Sequence, residues 1–302
     1  MSGSTDHAVT SETAGDRDRV RLLAGLPVAE ERLDLAGIPT SLLTGGEGKP
    51  LVLLHGPGEF AGGWVRVIPS LMTTHQVICP DLPGHGASGV PEGTLDAERT
   101  LAWLGDLLER TCPTPPVLVG RVLGGAIAAR FASDHSDLID QLVLVDTLGL
   151  EPFAPAPRFG LAMHRFFADP TGATYHRFMD LCAYDLDRVR DEMGDSWDAF
   201  EAYAVELAGT PSVQAAAFGL MGVFGTTIPH ADLARITVPT TLIWGRHDLA
   251  TRLAVAENAG AALGWPLHVI EDAGDDPALD QPEAFVATLR AALASPVLGV
   301  RT

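Results

Sequence analysis

The sequence predicts an α/β fold with a doubly wound, mostly parallel sheet. Two features carry that expectation. Short apolar runs rich in β-branched residues recur from about residue 30 onward, and they are continuous rather than alternating, which suits strands buried on both faces. Between them lie stretches whose apolar residues are spaced three and four apart, the helical period. At 302 residues the chain fits one large domain with an insertion better than several small ones.

Residues 1–19, MSGSTDHAVTSETAGDRDR, read as a disordered tail, polar and without the apolar core of a signal peptide. ERLDLAG followed by IPTSLLTGG reads as a hairpin. Six further strands are expected in PLVLLHG (50–56), QVICPDLPG (76–84), PVLVGRV (116–122), QLVLVDT (141–147), TTLIWGRHD (240–248) and LHVIEDAG (267–274). Helices are expected in LDAERTLAWLGDLLERT, LGGAIAARFASDH, TRLAVAENAGAAL and PEAFVATLRAALA. The rhythm breaks after Gly149, where Pro-rich EPFAPAP precedes helical segments and no strand is evident to about Ala234. The expected division is therefore a core over 20–149, a helical lid over 150–235 and a second core part over 236–302. In the lid, Phe159, Met163, Phe166 and Phe167 share one helix face, and Tyr175, Phe178, Met179, Cys182 and Leu186 share another. These stripes either pack onto the main domain or, in part, roof a pocket at the carboxyl ends of the strands, where open α/β sheets bind ligands.

Composition excludes several function classes. There are 39 acidic residues against 20 basic ones, a formal net charge of -19, so a nucleic-acid partner is not expected. Cys79, Cys112 and Cys182 are too few and scattered for a disulfide framework or a metal-ligand spacing. No run of 18 apolar residues is present, so no membrane span is expected and a cytoplasmic location is. Metal-protease, P-loop, dinucleotide and EF-hand patterns are missing, and no cofactor or metal is expected. The expected partner is a small apolar molecule, and a homo-oligomer is compatible with the chain.

The order and spacing of five segments carry a resemblance. LLHG (53–56) closes a strand, DLPGHGASG (81–89) follows the next, and VLVGRVLGGAIAARFA (117–132) reads as strand, turn and helix; LIWGRHD (242–248) and AGDDPALDQPEAF (273–285) complete the set. In these segments the chain resembles the α/β-hydrolase family over residues 30–296. The resemblance implies that fold and a catalytic site at the turn, the acid loop and the histidine loop. Family hydrolases carry the nucleophile in G-x-S-x-G, followed in chain order by an acid and a histidine.

Here the turn is Gly120-Arg121-Val122-Leu123-Gly124, with valine in the nucleophile's place. An isopropyl group can neither attack a carbonyl nor be activated by a base. The acid position matches Asp248, but the histidine position reads Ala273-Gly274-Asp275. An unperturbed aspartate, with a pKa near 3.9, is already ionised at neutrality and is a poor acid. The family's oxyanion hole takes one amide from just after the nucleophile, here Leu123, and one from the loop after HG. That loop reads Pro57-Gly58-Glu59; proline has no N–H, leaving Gly58 as the substitute. Loss of a triad nucleophile or histidine costs about a million-fold in turnover, so ordinary ester or amide hydrolysis is not expected.

Other groups remain available. Asp248 and Asp275 are expected to meet, and two carboxyls sharing one site can hold a proton at neutral pH. Such a pair can serve isomerisation, elimination, cyclisation or water addition to an epoxide. Asp146 is a third carboxylate on the same sheet edge. Arg121 either ion-pairs with a nearby carboxylate and holds the turn, or clamps an anionic substrate group beside Asp275. The amides of Leu123, Gly124 and Gly125 open a helix and can stabilise negative charge. Glu59 and Trp64 are expected at the pocket mouth, and His164, Tyr175 and His176 within reach of it, although His176 and Asp180 also suit a solvated pair. His55, His85 and His247 read as supports. Three functions stay open: a non-covalent acid/base enzyme acting on a small apolar carbonyl or epoxide compound, a non-catalytic ligand- or partner-binding protein, and a hydrolase with a displaced constellation using Ser88 or a lid histidine.

Overall fold

All eight predicted strands form one sheet. The computed structural model describes residues 14–90 and 95–294. The strands are β1 (Ala29–Leu35), β2 (Ile38–Gly45), β3 (Lys49–Leu54), β4 (His75–Pro80), β5 (Val117–Arg121), β6 (Gln141–Val145), β7 (Thr240–Gly245) and β8 (Leu267–Ile270). They lie in the order β1-β2-β4-β3-β5-β6-β7-β8. β1 and β2 pair antiparallel, as do β2 and β4, and every other pair is parallel.

Burial explains the sequence pattern. β5 is buried along its whole length and β3, β6 and β7 nearly so, which is why they read as unbroken apolar runs. β1 is the edge, and its exposed Glu30, Glu31 and Arg32 discourage pairing with another chain. The β1–β2 connection is Ala36-Gly37 with φ of 49° and 75°, the positive pair that a two-residue hairpin turn requires.

The helices are α1 (Ala14–Leu23), α2 (Ile68–Leu71), α3 (Ala97–Thr111), α4 (Leu123–Asp134), α5 (Pro157–Ala168), α6 (Gly172–Cys182), α7 (Leu186–Met193), α8 (Asp195–Gly209), α9 (Pro211–Phe224), α10 (His230–Leu233), α11 (Leu253–Leu263), α12 (Pro277–Asp280) and α13 (Pro282–Ala294). Two buried clusters lie on the two faces of the sheet. One contains Leu54, Trp103, Leu118 and Ile127, the other Leu53, Trp64, Val119 and Phe285. A third joins α5–α9 to the loop after β3, through Phe60, Phe166, Tyr175 and Trp197 among others. Helices α5–α10 fill the strandless interval between β6 and β7. Among the described residues no single helix is long and apolar enough to cross a membrane; α8 and α9 reach that length and composition only as a pair bent by 80°.

Two expectations need correction. The predicted tail is shorter than 19 residues, because α1 begins at Ala14 and packs on α8. Residues 1–13 lie outside the described range, as do 295–302. Arg19, in the supposed tail, is only 3% exposed and forms ion pairs at 3.0 Å with both Glu30 and Asp81. The charged stretch DRDR reads as solvated chain, and only the fold supplies the acidic partners that bury Arg19. Leu186 does not share a helix with Tyr175 and Cys182: α6 stops at Cys182, and Asp185 starts α7 by accepting a bond from Arg188 N–H at 3.0 Å.

Candidate functional site

The turn between β5 and α4 sets the site. Val122 holds φ 48° and ψ -106°, a conformation a β-branched residue avoids. Four hydrogen bonds impose it: Val122 N–H donates to Val145 O at 3.1 Å, and its carbonyl accepts from Ala126 N–H and Leu148 N–H at 3.2 Å and from Thr147 Oγ1 at 3.3 Å. Glycines let the helix close on the strand, since a Cβ on Gly120 would strike the backbone of Gly124 and one on Gly125 would strike Thr147. The sharp turn thus presents the Val122 side chain, 8% exposed, to an enclosed cavity of about 110 Å³.

Most of the cavity wall is apolar and comes from the helical insertion. Phe159 and Phe166 of α5, Phe178 and Met179 of α6, Phe200 of α8 and Met221 of α9 line it. The polar part of the lining is concentrated in Glu59, Arg121, Tyr175, Cys182, Asp275 and Asp276. No serine and no histidine is among the described residues lining it. Among the described residues no cluster of His, Cys, Asp and Glu has the arrangement of a metal site.

Arg121 is the centre of that polar end. Its guanidinium pairs with Asp276 at 3.1 Å and with Glu59, and lies 5.8 Å from the Trp64 ring centroid. Burial alone would weaken its charge, but Asp276 and Glu59 outweigh that effect and hold it fully protonated. Arg121 therefore takes the ion-pairing role, with Glu59 and Asp276 as partners; it does not stand free to clamp an anion beside Asp275. Asp276 escaped sequence reasoning although a signal was present. An aspartate before Pro-x-Leu is a helix start, and Asp276 Oδ1 does accept from Leu279 N–H at 3.1 Å to cap α12.

Asp275 lines the cavity and retains some accessible surface. Its N–H donates to Cys182 O at 3.1 Å, which ties the loop after β8 to the end of α6. Burial, and then the charge of Asp248, push its carboxyl well above the usual range, while Arg121 opposes the shift. Burial and the charge of Asp275 in turn raise the Cys182 thiol, so Cys182 is no nucleophile.

Asp248 does not join Asp275 at the cavity. It is buried, and it binds its own loop: Oδ1 accepts from Ala250 N–H at 2.6 Å and Thr251 N–H at 3.0 Å, and Oδ2 from Thr251 Oγ1 at 2.5 Å. The expected pair of facing carboxyls is thus one carboxyl in the cavity and one behind it, coupled by charge. Asp146 lies deeper, with Oδ1 accepting from Gly245 N–H at 2.9 Å and Oδ2 without a donor. Burial and the nearby Asp248 hold its pKa well above the usual range. A proton kept on Oδ2 resolves the missing bond, since it can be donated to the adjacent Asp248.

Other expected site residues fall elsewhere. Tyr175 is buried and lines the cavity, and Gly58 lines it at φ 72°. Trp64 is not at the mouth; it is 1% exposed, packed on Phe285 beneath the turn. His164 is exposed on the outer face of α5, and His176 pairs with Asp180 at 3.4 Å. Leu123 opens α4 and is wholly buried, while the neighbouring Gly124 N–H is already donated to His55 O at 3.1 Å. His55 Nε2 accepts from Leu82 N–H at 3.0 Å, and burial lowers its pKa well below the usual value, so it is a neutral loop support. His85 is likewise buried, with its pKa pushed down to about 4. His247 is exposed and packs on Tyr184. Ser88 is also structural, with Oγ donating to Asp81 O at 2.8 Å and accepting from Ser41 N–H at 3.0 Å.

This geometry, a parallel sheet with a strained turn under an apolar cavity, agrees with what the sequence matches. The family model described as alpha/beta hydrolase fold matches residues 49–282. The chain belongs to the α/β-hydrolase family. Within that family it is 28% identical over 246 residues to a 2-hydroxy-6-oxo-6-phenylhexa-2,4-dienoate hydrolase of Comamonas testosteroni, covering 76% of this chain and 82% of that protein. It is 30% identical over 258 residues to a pimeloyl-[acyl-carrier protein] methyl ester esterase of Chromobacterium violaceum, covering 81% and 94%. Among solved α/β-hydrolase structures, the 2-hydroxy-6-oxo-6-phenylhexa-2,4-dienoate hydrolase of Rhodococcus sp. strain RHA1 superimposes with a TM-score of 0.77 at 24% identity, over 89% of this chain and 99% of that one. These relatives carry hydrolase and esterase names, and the last likeness concerns the fold alone.

Proposed function

We propose that this α/β-hydrolase-fold chain is a non-covalent acid/base enzyme acting on a small apolar carbonyl or epoxide compound, with Asp275 as its proton donor. One observation carries the reading: the Asp275 carboxyl, whose pKa burial and Asp248 raise, faces an apolar cavity beside Val122, which has no nucleophilic atom. The lid of this enzyme is the helical insertion, whose aromatic side chains exclude water and so strengthen the donor's hydrogen bond. Asp248 is a positioning residue, acting through its charge on Asp275.

In water addition to an epoxide the step balances as follows. A C–O bond of the ring breaks with its electron pair passing to oxygen, and that oxygen takes the Asp275 proton. A water oxygen forms the new C–O bond, and the proton it sheds returns to the Asp275 carboxylate. In carbonyl isomerisation the carbonyl oxygen takes the Asp275 proton, the electron pair of a neighbouring C–H bond forms the enol C=C bond, and a water carries the released proton back to the Asp275 carboxylate. The relatives' names point instead to hydrolysis, but a displaced hydrolytic constellation has no support in the cavity lining, which holds neither serine nor histidine among the described residues.

The test is a panel of aryl epoxides and α,β-unsaturated ketones followed by mass spectrometry, with Asp275→Asn and a fluorophosphonate probe alongside. Turnover that falls at least about a hundredfold in Asp275→Asn, with no serine labelled, is expected. Stoichiometric labelling of a serine, or ester hydrolysis indifferent to Asp275→Asn, would overturn the proposal. A second reading, non-catalytic ligand binding, draws on the retreat of Asp248 from the cavity; tight binding with no turnover, unchanged in Asp275→Asn, is its signature.

A further inference from the structure

We infer that the cavity selects uncharged ligands and rejects anions, with Glu59 and Asp276 as the residues that set this specificity. The inference rests on the reading of this cavity as the substrate site, and it names the class of compound that enters.

Charge and geometry lead there. Arg121 is the single basic side chain among the described residues lining the cavity, and its guanidinium already pairs with Asp276 at 3.1 Å and with Glu59. Burial raises the pKa of both acids while Arg121 opposes the shift, and both hold the guanidinium, so an incoming carboxylate finds its donors taken and acidic groups beside it. In an enclosed apolar space any repulsion between charges is weakly screened, and the anion also loses its hydration. A third acidic group, Asp275, lines the same end without a cation of its own. In its protonated form it offers an O–H, which suits a ketone, epoxide or ether oxygen. The rest of the wall, including Phe159, Phe166, Phe178 and Met179, fits an aromatic or alicyclic body.

Sequence alone left two roles open for Arg121, an ion pair holding the turn or an anion clamp beside Asp275. Glu59 and Asp276 decide for the ion pair. Glu59 reaches Arg121 from the loop after β3, where Oε2 also accepts from Gly56 N–H at 3.2 Å. Asp276 reaches it from the far end of the chain while capping α12.

A matched pair of ligands tests this by isothermal titration calorimetry at pH 7.5: 4-phenylbutan-2-one and 3-phenylpropanoate, which share a skeleton and differ in charge. The wild-type chain is expected to bind the ketone at least about tenfold more tightly than the carboxylate. Glu59→Gln combined with Asp276→Asn frees Arg121 and is expected to reverse the order, with urea midpoints confirming that the variant folds. Equal or tighter binding of the carboxylate by the wild-type chain would overturn the inference and leave the proton-donor reading of Asp275 standing. Failure of both compounds to bind, with the same result for the aryl epoxides, would remove the cavity as a ligand site and both readings with it.

Discussion

Two buried arginines, Arg19 and Arg121, each hold two carboxylates, and each lies near aromatic rings. Arg19 joins Glu30 and Asp81 and lies 5.9 Å from the Phe60 and 5.8 Å from the Tyr203 ring centroids. Arg121 joins Glu59 and Asp276 and lies near Trp64. The difference is what stands next to them. At Arg19 one of the two carboxylates, Asp81, is wholly buried and accepts from Ala61 N–H at 2.6 Å and Ala87 N–H at 2.8 Å. That cluster pins α1 to the core and borders no acid left over. Around Arg121 a cavity opens and Asp275 is added, so the same chemistry gives a structural lock in one place and a charged, tunable wall in the other.

The strongest way to break this comparison is to remove each cation in turn. Arg19→Met leaves Asp81 buried and unpaired and is expected to cost about 3 to 5 kcal/mol in urea unfolding. Arg121→Met is expected to cost less, about 1 to 3 kcal/mol, because Glu59 and Asp276 border a cavity and can take up protons instead. That second loss should grow with pH, as the stranded acids are forced to ionise. Equal costs, or an Arg121→Met penalty flat with pH, would show that the two clusters are alike.

A smaller effect concerns Asp146. Its native pKa is raised by burial and by Asp248, so above about pH 4 the native state keeps a proton that the unfolded chain has lost. Stability attributable to this group therefore falls as pH rises, by up to about 1.4 kcal/mol per pH unit until the native carboxyl titrates. Asp146→Asn keeps an oxygen for Gly245 N–H and a donor toward Asp248, and is expected to flatten that slope; an unchanged slope in urea titrations from pH 4 to 8 would place the proton elsewhere.

The smallest change is expected from Val122→Ser, about 1 kcal/mol of stability and no esterase activity, since the cavity lining holds no histidine to act as base among the described residues. Adding Asp275→His supplies an imidazole there, and labelling by a fluorophosphonate is expected only in the double variant. Strong labelling of the single variant would reveal another base.

Legibility varied with how local the cause was. The strands and α4 were readable because continuous burial and a glycine-rich turn leave marks within a few residues. Val122 and Asp275 stood out because family motifs frame them. Asp276, Arg19 and the retreat of Asp248 were not readable: the first two depend on partners far away in the chain, and the third on the geometry of a folded loop. Arg19 meets Asp81, Arg121 meets Asp276, and the orientation of Asp248 follows from the amides of its own tight loop.

The sequence by itself determined the α/β architecture, the order of the core elements, the helical insertion and the absence of a nucleophilic side chain at the turn. These follow from periodicity, steric permissiveness and atom type, all local properties. Only the tertiary structure decided that Arg121 is spoken for, that one acid rather than two faces the cavity, and that α1 belongs to the folded body. Those outcomes depend on which charges share a low-dielectric space, and that is set by distances between residues the chain separates widely.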